Sequence, residues 1–251
     1  MRLNKVCELE DWSRIEELAD VPRHRKYWER VQLMRGLRCL GALRPDAFVL
    51  AVGAGHEPPV YELTNSVRWV FCTDLYGSTG FGEADAAMLR DPDAFAIQPS
   101  NRRRLVVQHM NALDLRYEDE SFDAVFSLSS IEHVGGFDAA KTAIREMTRV
   151  LKPLGVLGIA TELIVNGMPH FSAPHLELFT PDTFVELLNS ATPGSICEPM
   201  DFTVSPATIQ TALSMDEALR QTGEKRLQLP HVVVSIGTIQ FTSAFAFLRK
   251  G

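Results

Sequence analysis

The 251-residue chain is 45% hydrophobic and 23% charged, the make-up of an ordinary globular protein with apolar matter for a sizeable core. Its formal net charge of −7 argues against a broad phosphate-binding surface, and so against nucleic acid as a partner; the one basic run, Arg102-Arg103-Arg104, is too short to be such a patch. Four scattered cysteines form no Cys-x-x-Cys pair, which removes the usual zinc and dithiol patterns, and no apolar run reaches the ~18–20 residues of a membrane span. With no leader-like apolar stretch behind Met1, a reducing, cytoplasmic setting is the default expectation.

In chain order, residues 1–21 are acidic and mixed, with room for one short helix. Pro22 opens a helix whose Tyr27, Val31, Met34, Leu37 and Leu40 recur at three- and four-residue spacing. Phe48–Val52 is an apolar run that ends in Gly53-Ala54-Gly55, then His56-Glu57 and the helix-starting pair Pro58-Pro59. That order predicts a buried strand, a tight turn and a helix N-terminus pointing back over the strand end. Trp69–Thr73 is a second buried strand, closed by Asp74. A short helix is expected around residues 83–90 and a third strand from Leu105 to Met110-Asn111. Phe122–Leu128 is a fourth strand, and Asp138 is placed to cap a helix carrying Ala140, Ile144, Met147 and Leu151. Val156–Ala160 is a fifth strand. A loop bearing His170 and His175 follows, then a helix capped by Thr180. An extended stretch over Phe202–Val204 and a helix over 214–220 are expected, then a closing pair, His231–Ser235 and Phe241–Leu248, turning at Gly237.

Apolar runs alternating with helices predict an α/β protein with a mainly parallel sheet, whose ligand sits at the C-terminal strand ends. Gly53–Glu57, Asp74, Asn111, Ser129–His133 and Glu162 gather at that edge. Four pieces then match one family in sequence and order: Val49–Gly55; Val70–Asp74; Asn111–Leu115 running into Ser121–Val125; and Arg149–Gly155. Together they resemble the class I S-adenosylmethionine-dependent methyltransferases of small-molecule type, over roughly Phe48 to Leu163. The resemblance implies a doubly wound, Rossmann-like, mainly parallel seven-stranded sheet with a C-terminal antiparallel hairpin. It divides a single domain, 1–251, into an N-terminal helical cap (1–45), a cofactor-binding core (46–163) and an acceptor loop with the hairpin (164–251).

The implied cofactor is S-adenosylmethionine. Gly53, Ala54 and Gly55 would admit its methionine part, Asp74 would accept from both ribose hydroxyls, and Leu75 would face adenine. Asn111 and Ala112 would meet the adenine edge, with a turn-forming role for Asn111 as the alternative. Glu57 either caps its helix or holds the cofactor's ammonium group, and Ser129 lies at the mouth. The N-terminal helix resembles one that lies over the cofactor in some members, which brings Tyr27, Trp28 and Glu29 near; a core role for Trp28 is the alternative. The family often has an acidic residue at Ala51 and Gly at Leu154, and the second change reads as harmless.

Methyl transfer from a sulfonium needs alignment and sometimes a base. His133, His170 and His175 are the candidate bases for a hydroxyl acceptor, with a loop-closing role for His133 as the alternative. Relatives that methylate quinone precursors resemble Glu132-His133 and hold a metal there; Ser129 stands where they carry a further acid, so no metal is assigned. The partner is a small-molecule or glycan acceptor, and the oligomeric state is open, a dimer included. A non-catalytic binding protein of the same fold is the alternative. An NAD(P)-dependent dehydrogenase is disfavoured, since its third glycine would fall on Pro58.

Overall fold

In the computed structural model, residues 2–77, 84–168, 171–191, 196–220 and 230–251 are described. The N-terminal part holds strand β1 (Lys5–Val6), helix α1 (Asp11–Arg14) and helix α2 (Arg25–Cys39). His24 caps α2, its Nδ1 accepting from the Lys26 N–H at 3.1 Å. Then come β2 (Phe48–Val52), α3 (Pro58–Leu63), β3 (Trp69–Asp74), β4 (Leu105–His109), β5 (Phe122–Leu128) and α4 (Phe137–Arg149). The rest comprises β6 (Leu151–Asn166), β7 (Phe171–Ala173), β8 (Leu176–Leu178), α5 (Pro181–Ala191) and α6 (Pro206–Ile209). It closes with β9 (Leu213–Ser214), α7 (Met215–Arg220), β10 (Val234–Ile236) and β11 (Ile239–Arg249).

One nine-stranded sheet runs β4-β3-β2-β5-β6-β11-β10-β9, with β1 also on β11. The pairs among β4, β3, β2, β5 and β6 are parallel, while β11 is antiparallel to both β6 and β10. Seven of these strands are the expected ones, and the other two, β1 and β9, have two residues each. β2 reads Phe-Val-Leu-Ala-Val because it is covered on both faces. On one side lie Trp28, Leu33 and Leu37 of α2 with Val60 and Leu63 of α3. On the other lie Ala140, Ile144 and Met147 of α4 with Phe184 and Leu187 of α5. α2 approaches the sheet so closely at Gly36 that a Cβ there would lie 2.0 Å from the Phe247 ring.

Several expectations needed correction. Gly136 (φ +97°), not Asp138, precedes α4, and Asp138 lies in its first turn. Residues 86–89 make only one 3-10 turn. No strand forms over Phe202–Val204, where Asp201 alone bridges to Lys5. β6 runs well beyond the five residues expected, because β11 pairs with it from Val156 to Asn166. Leu154, where the expectation was of a harmless change, stands at φ +64° and is exposed, a left-handed conformation that strains a residue with a Cβ. Among the described residues no helix is long and apolar enough to cross a membrane.

Candidate functional site

A cavity of about 240 Å3 opens at the C-terminal ends of β2, β3 and β5, lined by residues 53–58 with Asp74, Ala84, Leu128 and Ser129. The turn after β2 is its floor. Gly53 (φ +61°) and Gly55 (φ +48°) are both left-handed, and a Cβ on Gly53 would stand 1.9 Å from Ser130 Oγ. Only glycine fits there. Gly55 N–H donates to Asp74 Oδ2 at 2.8 Å, and the Leu75 N–H donates to Asp74 Oδ1 at 2.7 Å. Burial pushes the Asp74 carboxyl up, and those two N–H groups offset this in part. A second cavity, about 260 Å3, lies at the opposite strand ends beside Arg44, Asp123 and Lys152, and no expected site residue lines it.

Glu57 sits at the N-cap of α3, yet its side chain caps no N–H. The carboxylate instead belongs to the cavity wall, its pKa raised by burial and by Glu29. His56 lines the rim, its ring 5.2 Å from that of Phe95. Leu75 is 41% exposed and lies outside the lining, as do Asn111 and Ala112. Asn111 does the work of a turn former, since its Oδ1 accepts from the Leu113 N–H at 3.0 Å.

Behind Ser129, outside the residues that line the cavity, lies a cluster of charge. Ser129, at φ +44°, donates through Oγ to Glu29 Oε1 at 2.9 Å. Glu29 comes from α2, is buried, and also accepts from Ser243 Oγ. Lys26 Nζ lies 3.0 Å from Glu29 and 3.3 Å from Glu162, and Arg25 pairs with Glu162. Burial would raise the Glu162 carboxyl, but Arg25 and Lys26 hold it down at about 2. Glu132 accepts from Thr161 Oγ1 at 2.9 Å; burial, then repulsion from Glu162, pushes its pKa up to about 8. One oxygen of each of these two buried carboxyls has no hydrogen-bond partner among the described residues. Trp28 takes the core alternative, with its Nε1 on Asp11 at 2.7 Å.

His133 stands just after β5. Its Nδ1 is 2.6 Å from the His175 carbonyl, which can only accept, so Nδ1 carries the proton and Nε2 is the basic nitrogen. Burial lowers its pKa, which keeps the ring neutral near pH 7. The structure thus joins His133 and His175 through a carbonyl rather than ring to ring, and the His175 side chain is exposed. His170 lies outside the described residues. Sequence reasoning missed Arg25 and Lys26, although Arg25 and Glu29 are four apart on one helix, a spacing that signals a pair.

Residues 50–159 match a family model described as a methyltransferase domain. A 27-O-demethylrifamycin SV methyltransferase of Amycolatopsis mediterranei is 27% identical over 160 residues, 60% of this chain and 55% of that one. An O-methyltransferase of Aspergillus nomiae is 28% identical over 124 residues, covering 43% and 54%. The chain thus spans about half the length of these curated relatives. Among solved structures, a sarcosine dimethylglycine methyltransferase from Galdieria sulphuraria superposes with TM-score 0.55 at 14% identity, over 90% of this chain and 85% of that one. The cyclase SpnF superposes with TM-score 0.54 at 19% identity, over 86% and 80%. At such identities these two show the shared fold alone.

Proposed function

We propose that this chain, whose residues 50–159 match a methyltransferase domain, is a class I S-adenosylmethionine-dependent methyltransferase that methylates a hydroxyl of a small-molecule or sugar acceptor. The observation that carries this reading is the cavity itself. It joins a glycine turn open to close approach, a carboxylate at the end of β3 and the uncapped carboxylate of Glu57. These residues fit the cofactor. A phosphate-bearing ligand would be repelled by Glu57, whereas an ammonium and a sulfonium suit it. Asp74 retains lone pairs beyond its two backbone bonds, enough to accept from ribose hydroxyls.

When bound, the cofactor supplies a methyl group on a good leaving group. The chain's own task is then alignment and proton removal. In this reading His133, held through Nδ1 by the His175 carbonyl, takes the acceptor's hydroxyl proton on its basic Nε2 as the new C–O bond forms and the bond from methyl to leaving sulfur breaks. The relatives support the acceptor class, since one is named for a small molecule and the other for transfer to oxygen. Four free thiols support a reducing, cytoplasmic setting as part of the same proposal.

The test is titration calorimetry with S-adenosylmethionine, then labelled-methyl transfer into small-molecule extracts. Binding followed by incorporation into an alkali-stable ether is the expected result. No binding at millimolar cofactor would sink the reading, and binding without any transfer would favour a non-catalytic member of the fold.

A further inference from the structure

Gly55 is gripped from both ends of its residue. Its N–H is taken by Asp74, and its carbonyl receives the Tyr76 hydroxyl at 2.7 Å. Tyr76 is 3% exposed, so this bond is shielded from water. Cys72, one turn of strand earlier and also buried, brings Sγ to 3.0 Å from the same hydroxyl and to 3.6 Å from the same carbonyl. From behind, the Tyr76 carbonyl accepts from His109 Nδ1 at 3.2 Å. The next residue, Gly77, donates its N–H to the carbonyl of Ala84, which itself lines the cavity.

A left-handed residue at φ +48° has other conformations open to it when nothing holds it. Tyr76 removes that freedom before any ligand arrives. We propose that Tyr76 is a positioning residue of the cofactor site: its hydroxyl fixes the Gly55 carbonyl, and so the shape of the turn that receives S-adenosylmethionine. The hydroxyl touches neither ligand nor reacting atoms. It acts through Gly55, lowering the ordering that binding must otherwise supply. This inference rests on the proposed cofactor site and deepens it.

Tyr61 provides a matched control. It is equally a buried tyrosine, but its hydroxyl donates to the Pro92 carbonyl at 2.9 Å and lies 3.2 Å from Met88 Sδ, away from the turn. Calorimetry with S-adenosylhomocysteine on the full chain compares Tyr76→Phe with Tyr61→Phe, with thermal melts of both. The expected result is a roughly three- to tenfold rise in Kd for Tyr76→Phe alone, the scale of one hydrogen bond. The two variants should melt within a few degrees of each other, so that the difference in Kd reports the Gly55 turn and not the stability of the fold. His109→Ala, on an exposed side chain, loosens the same residue from behind and shifts Kd in the same direction by less. Equal Kd changes in the two tyrosine variants, or none in Tyr76→Phe, would overturn the proposal. A wild-type chain that binds no S-adenosylhomocysteine would overturn the parent reading and this one with it.

Discussion

On the β2–β3 side of the cleft the wall is backbone. Two left-handed glycines, an aspartate that takes two N–H groups and a tyrosine on a carbonyl set its shape, all between positions 53 and 76. On the β5–β6 side, behind Ser129, the structure is a cluster of side-chain charge. Arg25, Lys26, Glu29, Glu132, Glu162 and Ser243 reach one another from four segments of the chain. Backbone geometry is specified locally and its misuse costs strain. Buried charge is specified by distant partners, and its disruption costs desolvation. Substitutions on the two sides should therefore separate cofactor affinity from turnover and from fold stability.

The largest effect is expected at His133. His133→Gln should lower kcat by about 100- to 10,000-fold, the range for a lost general base, and leave cofactor Kd within about twofold. The wild-type rate should hold as pH falls to the usual imidazole range and drop only below ~6.5, because burial depresses this pKa. A titration at or above that value would break the assignment. Next comes Arg25→Ala, which leaves the buried Glu162 and Glu29 to share Lys26 as their remaining cation. Urea unfolding should show a loss of about 3–5 kcal/mol, as for other half-broken buried pairs.

Gly53→Ala tests the backbone side. Left-handed strain of about 1–2 kcal/mol, with the Ser130 clash added, should weaken cofactor binding more than tenfold with a smaller loss of stability. Glu132 gives a smaller, pH-borne effect. Its folded pKa, near 8, lies above the unfolded value of 4.5, so the native state holds the extra proton between them. Its contribution is full below pH 4.5 and is lost as pH rises through 8. Glu132→Gln should flatten that fall, by at least about 1 kcal/mol across the window, in chemical denaturation at pH 5 and pH 8.5. The smallest effect is Leu154→Gly, far from both sides, which should stabilise the chain by about 1 kcal/mol or less and leave activity unchanged. A kinetic effect there would blur the contrast between the sides.

The same contrast explains what could be read from the residues in advance. The β2 turn, Asp74 and the positions of the strands along the chain follow from apolar runs and glycines whose meaning is local. So does the Thr180 cap, where Oγ1 accepts from the Thr183 N–H at 3.2 Å. The charge cluster could not be assembled that way. Glu29 and Ser243 are 214 positions apart and meet only because β11 returns to the middle of the sheet beneath α2. Leu75 and Asn111 lie outside the cavity lining, Leu75 exposed and Asn111 accepting from the Leu113 N–H, and neither position's contact could be read from the motif alone.

One feature of the sheet bears on which acceptors the chain would take. β6 is hydrogen-bonded to β5 on one edge and to β11 on the other through Ala160, so Glu162 rises from the best-anchored plank in the molecule. The β7–β8 pair beside His133 has three residue pairs among the described residues. Local opening is far cheaper in the second than in the first. The small hairpin is nonetheless tied to that plank at its end, since the Phe179 N–H donates to the Glu162 carbonyl at 3.1 Å and the Ile164 N–H donates to the Phe179 carbonyl at 2.7 Å. On the proposed function, an acceptor too bulky for the closed hairpin would have to break these two bonds before it could enter, so the anchored strand sets the cost of opening.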